Sequence, residues 1–426
     1  MIAPLTPNTQ AVLLLTAPLI VGSGESSCDL LSLGQYNRLA RILREKQLQP
    51  ADLIGPDARN VLELCSQPFG QARLEALLGR GFLLSQAVDR WNTRSIWVVG
   101  RADAAYPQRI KGHLKENAPA ILYGCGEIGL LDSGGLAVVG SRHVDDELIG
   151  FTENVGRLAA EAQCPIISGG AKGIDRASMQ GALQAGGMVV GVMADSLERA
   201  ALARDHRDPL MDHKLAFISP YDPAAGFNVG HAMQRNKIIY ALADAALVVT
   251  SDFEKGGTWA GAIEQLERLH FVPIFVRNAP LCGKGNTALL QQGAIPWPNP
   301  RDKRELREAL STVAAAVAAE PKEETLPLQF GEEQAPLVMK TTPNLPPVAD
   351  TAVSEPLPQE ELLLAVSRIL SRALTQPRSE AEVAELLGIS KPQAKAWLAE
   401  LLKQGTLEKT SKPIRYRAAT AADRLL

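Results

Sequence analysis

The chain has 426 residues, of which 46% are hydrophobic and 21% are charged, and its formal net charge is −3. This length and composition predict a globular protein of two to four domains, and the near-neutral charge means that any role in nucleic-acid binding depends on local basic patches. The five cysteines lie far apart without a CxxC pair, which argues against a zinc knuckle, a redox dithiol or a disulfide framework and fits a reducing cytoplasm.

Residues 1–94 are predicted to form a helical N-terminal domain. Thr6 followed by Pro7 is typical of a helix N-cap with proline in the first turn, and this pair opens the apolar run 11–21. That run is too short to span a bilayer, and no Lys or Arg precedes it. The sequence therefore predicts neither a secretory signal nor a membrane segment.

Residues 95–300 alternate short apolar runs with amphipathic segments. This alternation predicts an α/β domain, namely an extended Rossmann-like, doubly wound and mostly parallel sheet, with ligands bound at the carboxyl ends of its strands. Beyond the two strands that end in the loops described next, strands are predicted at 95–99, 188–193, 216–219, 247–250 and 272–276.

Two apolar strands, LAVVG and CPIIS, each run into a turn of small residues with one basic side chain. Helix N-termini carry unpaired N–H groups that favour anions, so these turns predict a polyanion or a nucleotide as ligand. The alternative is that the glycines only serve the turns. Neither turn matches a Walker A motif or G-x-G-x-x-G, so the usual ATP and NAD fingerprints are missing. The candidate residues are Gly140, Ser141 and Arg142 in the first turn and Ser168, Gly169, Gly170 and Lys172 in the second.

A third candidate site lies before the strand predicted at 247–250, where Arg235, Asn236 and Lys237 stand together. Arg binds phosphate through a bidentate fork, Lys adds a mobile charge, and Asn offers donors to a sugar or a base edge. The alternative is an ordinary helix surface. The histidines show no HxH or HExxH spacing and no Ser stands in a G-x-S-x-G elbow, so the sequence predicts no metal, no cofactor and no acyl-transfer nucleophile.

The remaining chain is predicted to hold a helix and a Pro-rich acidic linker at 301–357, followed by a winged-helix domain at 358–426. Prolines and acidic residues are too dense in the linker for a packed core. In the last domain, a helix, a Gly turn and a second helix precede two short strands around 411–413. Between 391 and 417 there are seven basic residues and only two acidic ones, Glu400 and Glu408. This local positive charge suits either DNA or protein as the partner.

The order of these motifs resembles the DNA-processing protein family DprA, also called Smf. The matching elements cover the whole predicted sheet domain. They are Tyr106-Pro107, APAILYGCG, the Gly140-Ser141-Arg142 turn, SGGAKGIDRAS, the Arg235-Asn236 pair and GNTALLQQGA. The order of a helical N-terminal domain, an extended Rossmann domain and a winged helix is also similar to many members of the family.

The resemblance implies a cytoplasmic homodimer that grips single-stranded DNA and helps to load the recombinase RecA during DNA uptake, transformation or repair. It implies binding without chemical turnover. Carried over by position, Arg142, Lys172, Arg235, Asn236 and Lys237 would contact the phosphates and nucleotides. Backbone donors would come from Gly140, Ser141, Ser168, Gly169 and Gly170.

The chain departs from the family pattern at 194–213, at 251–262 and at Arg277-Asn278, which indicates a divergent member. At the second place, Gly256-Gly257-Thr258 is similar to a loop of nucleoside monophosphate hydrolases of the LOG type, and Glu264 would then be catalytic. A third possibility is a regulator whose Rossmann domain senses a nucleotide while the winged helix reads an operator.

Overall fold

The structure, a computed structural model, describes residues 4–21, 28–279 and 283–319, together with 378, 379, 382, 383, 398, 402, 407–410 and 415–418. The chain divides into two compact units, Met1–Glu333 and Gln334–Leu426. Within the described residues, no helix is both long and apolar enough to cross a membrane.

The first unit begins with a group of short helices, as the periodicity of residues 1–94 predicts. Thr6 is the N-cap of the first helix, and its hydroxyl accepts a hydrogen bond from the N–H of Thr9 at 3.2 Å. The apolar residues 11–15 of this helix are all buried, which explains why its hydrophobic run is continuous rather than one-sided. The helices are α1 (Pro7–Thr16), α2 (Leu33–Glu45), α3 (Ala58–Cys65), α4 (Gln71–Leu78) and α5 (Gly81–Asn92).

These helices pack directly on the following α/β part. The ring of Trp91 in α5 meets the ring of Tyr123 edge-on, with 5.1 Å between the centroids. Arg90 and Arg94 both pair with the carboxylate of Glu198. Residues 1–94 therefore share one compact unit with the sheet, and the domain boundary at residue 94 stays a prediction.

A nine-stranded sheet forms the centre of the first unit. Only the pairs β1–β2 and β2–β6 are antiparallel, and every other neighbouring pair is parallel. This confirms the expectation of a mostly parallel sheet. The strand order is β1-β2-β6-β5-β4-β3-β7-β8-β9. The strands are β1 (Trp97–Gly100), β2 (Ile121–Gly126), β3 (Leu136–Gly140), β4 (Ile166–Ser168), β5 (Val189–Val192), β6 (Leu215–Ser219), β7 (Ala245–Thr250), β8 (Ile274–Val276) and β9 (Ile295–Pro296).

Helices cover both faces of the sheet, so its strands are apolar on both sides. In β3, Leu136 and Val138 belong to one buried cluster, whereas Ala137 and Val139 belong to the other. This is the two-residue alternation of a strand that is covered twice. The helices that connect or follow the strands are α6 (Gln108–Leu114), α7 (Asp146–Glu161), α8 (Ile174–Gln184), α9 (Leu197–Leu202), α10 (Arg204–Met211), α11 (Val229–Leu242), α12 (Gly256–Glu264), α13 (Lys284–Gln291) and α14 (Lys303–Ala319).

The strand order reverses at β3. From β3 the chain moves through β4 and β5 to β6 on one side, and it then returns to place β7, β8 and β9 on the other side. Sheets of this kind bind ligands outside the carboxyl ends of the strands at such a reversal point. The topology therefore directs attention to the loops after β3, β4 and β7.

In the second unit, the structure describes a two-stranded antiparallel hairpin of β10 (Leu407–Thr410) and β11 (Arg415–Ala418). The strands lie on either side of residues 411–413, as predicted. The helices predicted in 358–426 and the linker predicted within 301–357 lie largely outside the described residues. The winged-helix fold itself stays a prediction.

Candidate functional site

The two predicted glycine turns lie side by side at the carboxyl edge of the sheet, because β3 and β4 are parallel neighbours. The N–H of Ile174, at the start of α8, lies 3.5 Å from the carbonyl oxygen of Ser141 in the other turn. Gly173 has φ +83°, and a side chain there would collide with the carbonyl groups of Ser141 and Arg142. Glycine is thus required at 173 both for its backbone conformation and for the close approach of the two turns.

The N-terminus of α7, which could attract an anion, is occupied by three carboxylates of this chain. Asp145 is the N-cap and accepts a hydrogen bond from the N–H of Leu148 at 2.9 Å, and Asp146 and Glu147 occupy the first turn. These negative charges interact favourably with the positive end of the helix. An added phosphate would meet like charge at this position.

The N-terminus of α8 is also engaged within the chain. The N–H of Ile174 points to Ser141, and the N–H of Arg176 donates to the carbonyl oxygen of Ala171 at 3.1 Å. The carboxylate of Asp175, a residue that is only 6% exposed, lies in this first turn. Burial raises the pKa of this carboxyl, and the backbone N–H groups of Gly140, Gly169 and Ala171 oppose that rise. Acidic side chains therefore lie at the N-termini of both α7 and α8, where the sequence predicts phosphate binding.

Asp175 lies next to Arg235 of α11, which is 5% exposed. The distance from Nη1 of Arg235 to Oδ2 of Asp175 is 3.8 Å. Burial raises the pKa of Asp175, and the guanidinium opposes that rise. Burial likewise lowers the pKa of Arg235, and Asp175 opposes that fall. The two groups thus form a buried ion pair that is close to neutral overall.

The guanidinium of Arg235 lies against the backbone of Gly169. A Cβ atom at 169 would overlap Nη1 of Arg235, so this glycine leaves the space that the guanidinium fills. Within the described part of the chain, Nε and Nη1 of Arg235 are buried without a hydrogen-bond partner. Buried donors without partners are rare in folded proteins, and they often mark functional positions.

Two further cations lie on the outer rim of the same edge. Arg142 and Lys172 are exposed, and Cζ of Arg142 lies 5.4 Å from the ring centroid of Phe227. Arg142 is also close enough to Arg235 to contribute to the lowering of its pKa. Phe227 itself is 55% exposed, so the rim presents positive charge beside an open aromatic ring.

Asn236 and Lys237 turn towards α12 instead of towards Asp175. Nδ2 of Asn236 donates to the carbonyl oxygen of Gly257 at 3.0 Å. Nζ of Lys237 pairs with Oε1 of Glu264 at 3.0 Å. The three consecutive polar residues 235–237 therefore contact two different parts of the site, which follows from the spread of successive side chains around a helix.

The other predicted residues lie within or directly after the strands. The hydroxyl of Ser168 is buried and donates to the carbonyl oxygen of Val138 at 2.6 Å, and the N–H of Ser141 donates to Thr250 at 3.1 Å. Gly170 has φ +66° and turns the chain beside Met193. Phosphate contacts from these groups stay predictions.

Sequence reasoning missed three residues of this site. Asp175 lies inside the motif SGGAKGIDRAS, and an acidic residue in a helix first turn is the signal that points to it. Tyr221 and His231 stack with 3.7 Å between ring centroids and 12° between planes, and burial raises the pKa of Tyr221 to about 12. Nothing in the local sequence indicates that pair, because its members come from the β6–α11 loop and from α11.

Residues 97–307 match the family model of the DNA recombination-mediator protein A. Over 195 residues the chain is 32% identical to Protein Smf of Escherichia coli K12, and this alignment covers 43% of this chain and 50% of that protein. Over 181 residues it is 29% identical to the DNA processing protein DprA of Streptococcus pneumoniae, covering 42% of this chain and 63% of that protein. The match thus spans between half and two thirds of these relatives.

The fold is similar to the crystal structure of DNA processing protein A from Streptococcus pneumoniae. The superposition has a TM-score of 0.50 and 19% sequence identity, and it covers 72% of this chain and 98% of that chain. At this level of identity the likeness concerns the fold alone.

Proposed function

Because the chain belongs to the DNA recombination-mediator protein A family, we propose that it binds single-stranded DNA at the carboxyl edge of its sheet. The observation that carries this proposal is the placement of Arg142, Lys172 and Arg235 around the paired turns after β3 and β4. Exposed cations beside an open aromatic ring suit a strand whose phosphates and bases are both accessible.

In this proposal the DNA backbone follows the exposed cations Arg142 and Lys172, and Arg235 forms the inner wall. Asn236 and Lys237 support the site through α12, to which they are already bound. Of the other residues of the two turns, Gly140, Ser141 and Gly170 line the proposed contact surface, and the buried residues Ser168 and Gly169 support the second turn from inside.

The proposed biological role is that of a recombination mediator in the cytoplasm. The protein would act as a homodimer and help to load RecA on single-stranded DNA during transformation or repair. Family membership supports the mediator role. The homodimer and the RecA partner are further proposals that follow from the resemblance to the same family.

Nucleotide hydrolysis is the less favoured alternative. The carboxylate that such an enzyme would need is Glu264, and it is paired with Lys237 at 3.0 Å. The ion pair holds this carboxylate against Lys237, so it would have to leave that partner to reach a ribose. Incubation with nucleoside monophosphates tests this alternative, since release of a free base would support hydrolysis.

The experiment that tests the proposal compares single-stranded and duplex oligonucleotides of equal length in an anisotropy titration. We expect tighter binding to the single strand. Arg142→Ala should weaken that binding by about 1.5 to 3 kcal/mol, the range for hydrogen bonds to charged groups. Arg59→Ala is the matched control, because Arg59 is exposed on α3 outside the site. A preference for duplex with sequence discrimination would instead support the operator-reading regulator.

A further inference from the structure

The first turn of α8 carries a carboxylate where nucleotide-binding sheets hold a phosphate. In such sheets, the loop after a strand delivers the phosphate to the N-terminus of the next helix. Here Asp175 lies at that position, buried, with the N–H groups of Gly140, Gly169 and Ala171 acting on its carboxylate. Together the turns after β3 and β4 form what we call the cradle, and Asp175 places its negative charge next to both of them.

Arg235 provides a second, independent observation at the same place. Its side chain is 6% exposed, and Nη1 approaches Oδ2 of Asp175 to 3.8 Å. Among the described residues, Nε and Nη1 have no hydrogen-bond partner. At 3.8 Å the ion pair does not satisfy these two donors, so Arg235 can still donate hydrogen bonds to a ligand. Asp175 at the same time neutralises the charge of the guanidinium.

We propose that Asp175 is a specificity-determining residue, whose negative charge at the anion position of the cradle excludes the terminal phosphate of a free nucleotide. The inference rests on the proposed function only in assigning the outer rim to the phosphodiesters of a DNA strand. The exclusion itself is a property of the cradle and can be measured without DNA.

The charge of the ligand explains the selectivity. A terminal phosphate carries a charge of about −1.5 to −2 at pH 7, whereas an internal phosphodiester carries one negative charge. A phosphate brought into the cradle would face the carboxylate of Asp175 at short range in a poorly solvated place, where like charges repel strongly. Phosphodiesters instead meet Arg142 and Lys172 at the outer rim, with Arg235 as the inner wall, so a strand binds without placing a phosphate at the position of Asp175.

The test replaces Asp175 by a neutral residue of nearly the same shape. We expect Asp175→Asn to bind inorganic phosphate and dTMP at least tenfold more tightly than the wild type in isothermal titration. Its affinity for an oligo(dT) without terminal phosphates should rise by a smaller factor. Asp145→Asn is the matched control, because it removes an exposed carboxylate from the neighbouring helix N-terminus while Asn remains a good N-cap. That control should gain no phosphate binding.

Thermal unfolding with increasing phosphate provides a second measurement on Asp175→Asn and Asp175→Ala. A ligand that binds only the folded state raises the melting temperature, so both variants should be stabilised by phosphate more than the wild type is. Equal phosphate affinity and equal stabilisation in wild type and variants would overturn the inference. So would an Asp175→Ala variant that remains unfolded at high phosphate, since an anion in the vacated position should replace the carboxylate.

The two proposals fail in different ways. If Asp175→Asn gains no phosphate affinity while both proteins bind oligo(dT), the specificity inference is wrong and the proposed function stands. If the variant gains phosphate affinity and neither protein binds oligo(dT), the cradle behaves as inferred and the proposed function is wrong.

Discussion

Arg235 combines two roles that are usually separate in a protein, a buried counter-ion and a proposed ligand contact. Its guanidinium lies beside Asp175 and against Gly169, with two nitrogen atoms lacking hydrogen-bond partners in the described chain. A buried ion pair by itself is weak evidence for stability, because desolvation offsets the attraction. The retention of unpaired donors is easier to understand if a ligand completes them.

Arg235→Ala should therefore affect both binding and stability. We expect a loss of about 1.5 to 3 kcal/mol in affinity for single-stranded DNA, the range for charge-assisted hydrogen bonds. We also expect a loss of about 3 to 5 kcal/mol in the free energy of unfolding, because Asp175 is left buried without its partner. Anisotropy titrations and urea unfolding measure the two effects. Unchanged affinity in a folded variant would place the guanidinium outside the DNA site.

The titration of Asp175 predicts a pH dependence of stability. Burial, the largest influence, raises the pKa of this carboxyl in the folded chain above its value in the unfolded chain. Between the two pKa values the folded chain binds more protons, so the contribution of Asp175 to stability falls as the pH rises through this interval. The wild type should be most stable relative to Asp175→Asn at acid pH, and this advantage should shrink until the pH exceeds the folded pKa.

Urea unfolding of both proteins across the acid range checks the sign. The other carboxyls titrate alike in both proteins, so their contributions cancel in the difference between the two free energies of unfolding. That difference reports Asp175 and its effect on Arg235. A relative stability that instead rises with pH would mean that Arg235 and the backbone N–H groups outweigh burial.

At the scale of elements, the site depends on how closely α11 approaches the β4–α8 turn. Gly169 allows this approach, because a Cβ there would overlap the guanidinium of Arg235. The loop glycine therefore positions a side chain that is distant in sequence. Its role differs from that of Gly173, where positive φ and the approach of two backbones are decisive.

Gly169→Ala should weaken DNA binding without removing any charge. The added methyl group displaces the guanidinium, so we expect a loss in affinity close to that of Arg235→Ala, about 1.5 to 3 kcal/mol. Gly150→Ala is the control, since Gly150 lies in α7 with open space around its Cβ position and alanine favours helices. If Gly169→Ala binds DNA as tightly as the wild type, the position of Arg235 does not determine affinity.

Sequence reasoning predicted the elements well where apolar runs were long and bounded by glycine. The runs that became β3, β4, β5 and β7 are buried on both faces, so hydrophobicity alone marks them. The strands β2 and β9 were missed. The former lies in a segment interpreted only as leading into the sheet, and the latter has two residues, too few for any periodic signal.

The candidate site was predictable in position and less so in detail. The motifs identified the strand ends and the basic residues, because parallel topology brings those ends to one edge. Contacts between distant segments determine two further features of the site. Asp175 lies against both turns, and Asn236 and Lys237 contact α12. Spacing within one motif carries no information on such contacts.

At the scale of the whole molecule, charge is unevenly distributed along a chain whose net charge is only −3. The proposed DNA site lies in the unit Met1–Glu333, whereas the basic stretch at 391–417 lies in the unit Gln334–Leu426. Salt dependence separates their contributions, because each phosphate neutralised by a cation releases counterions when DNA binds.

Deletion of residues 358–426 should leave single-strand binding and its salt dependence nearly unchanged. With roughly three phosphates neutralised per subunit, the logarithm of affinity should fall with the logarithm of salt at a slope of about −2, or about −4 for a dimer that binds through both subunits. Titrations of the full chain and the deletion variant at several salt concentrations measure both slopes. A deletion variant with a much shallower slope or no binding would place the main DNA contacts in the C-terminal domain. Equal slopes would instead mean that the cations at the sheet edge account for the electrostatic contacts, since the deletion removes every basic residue of 391–417.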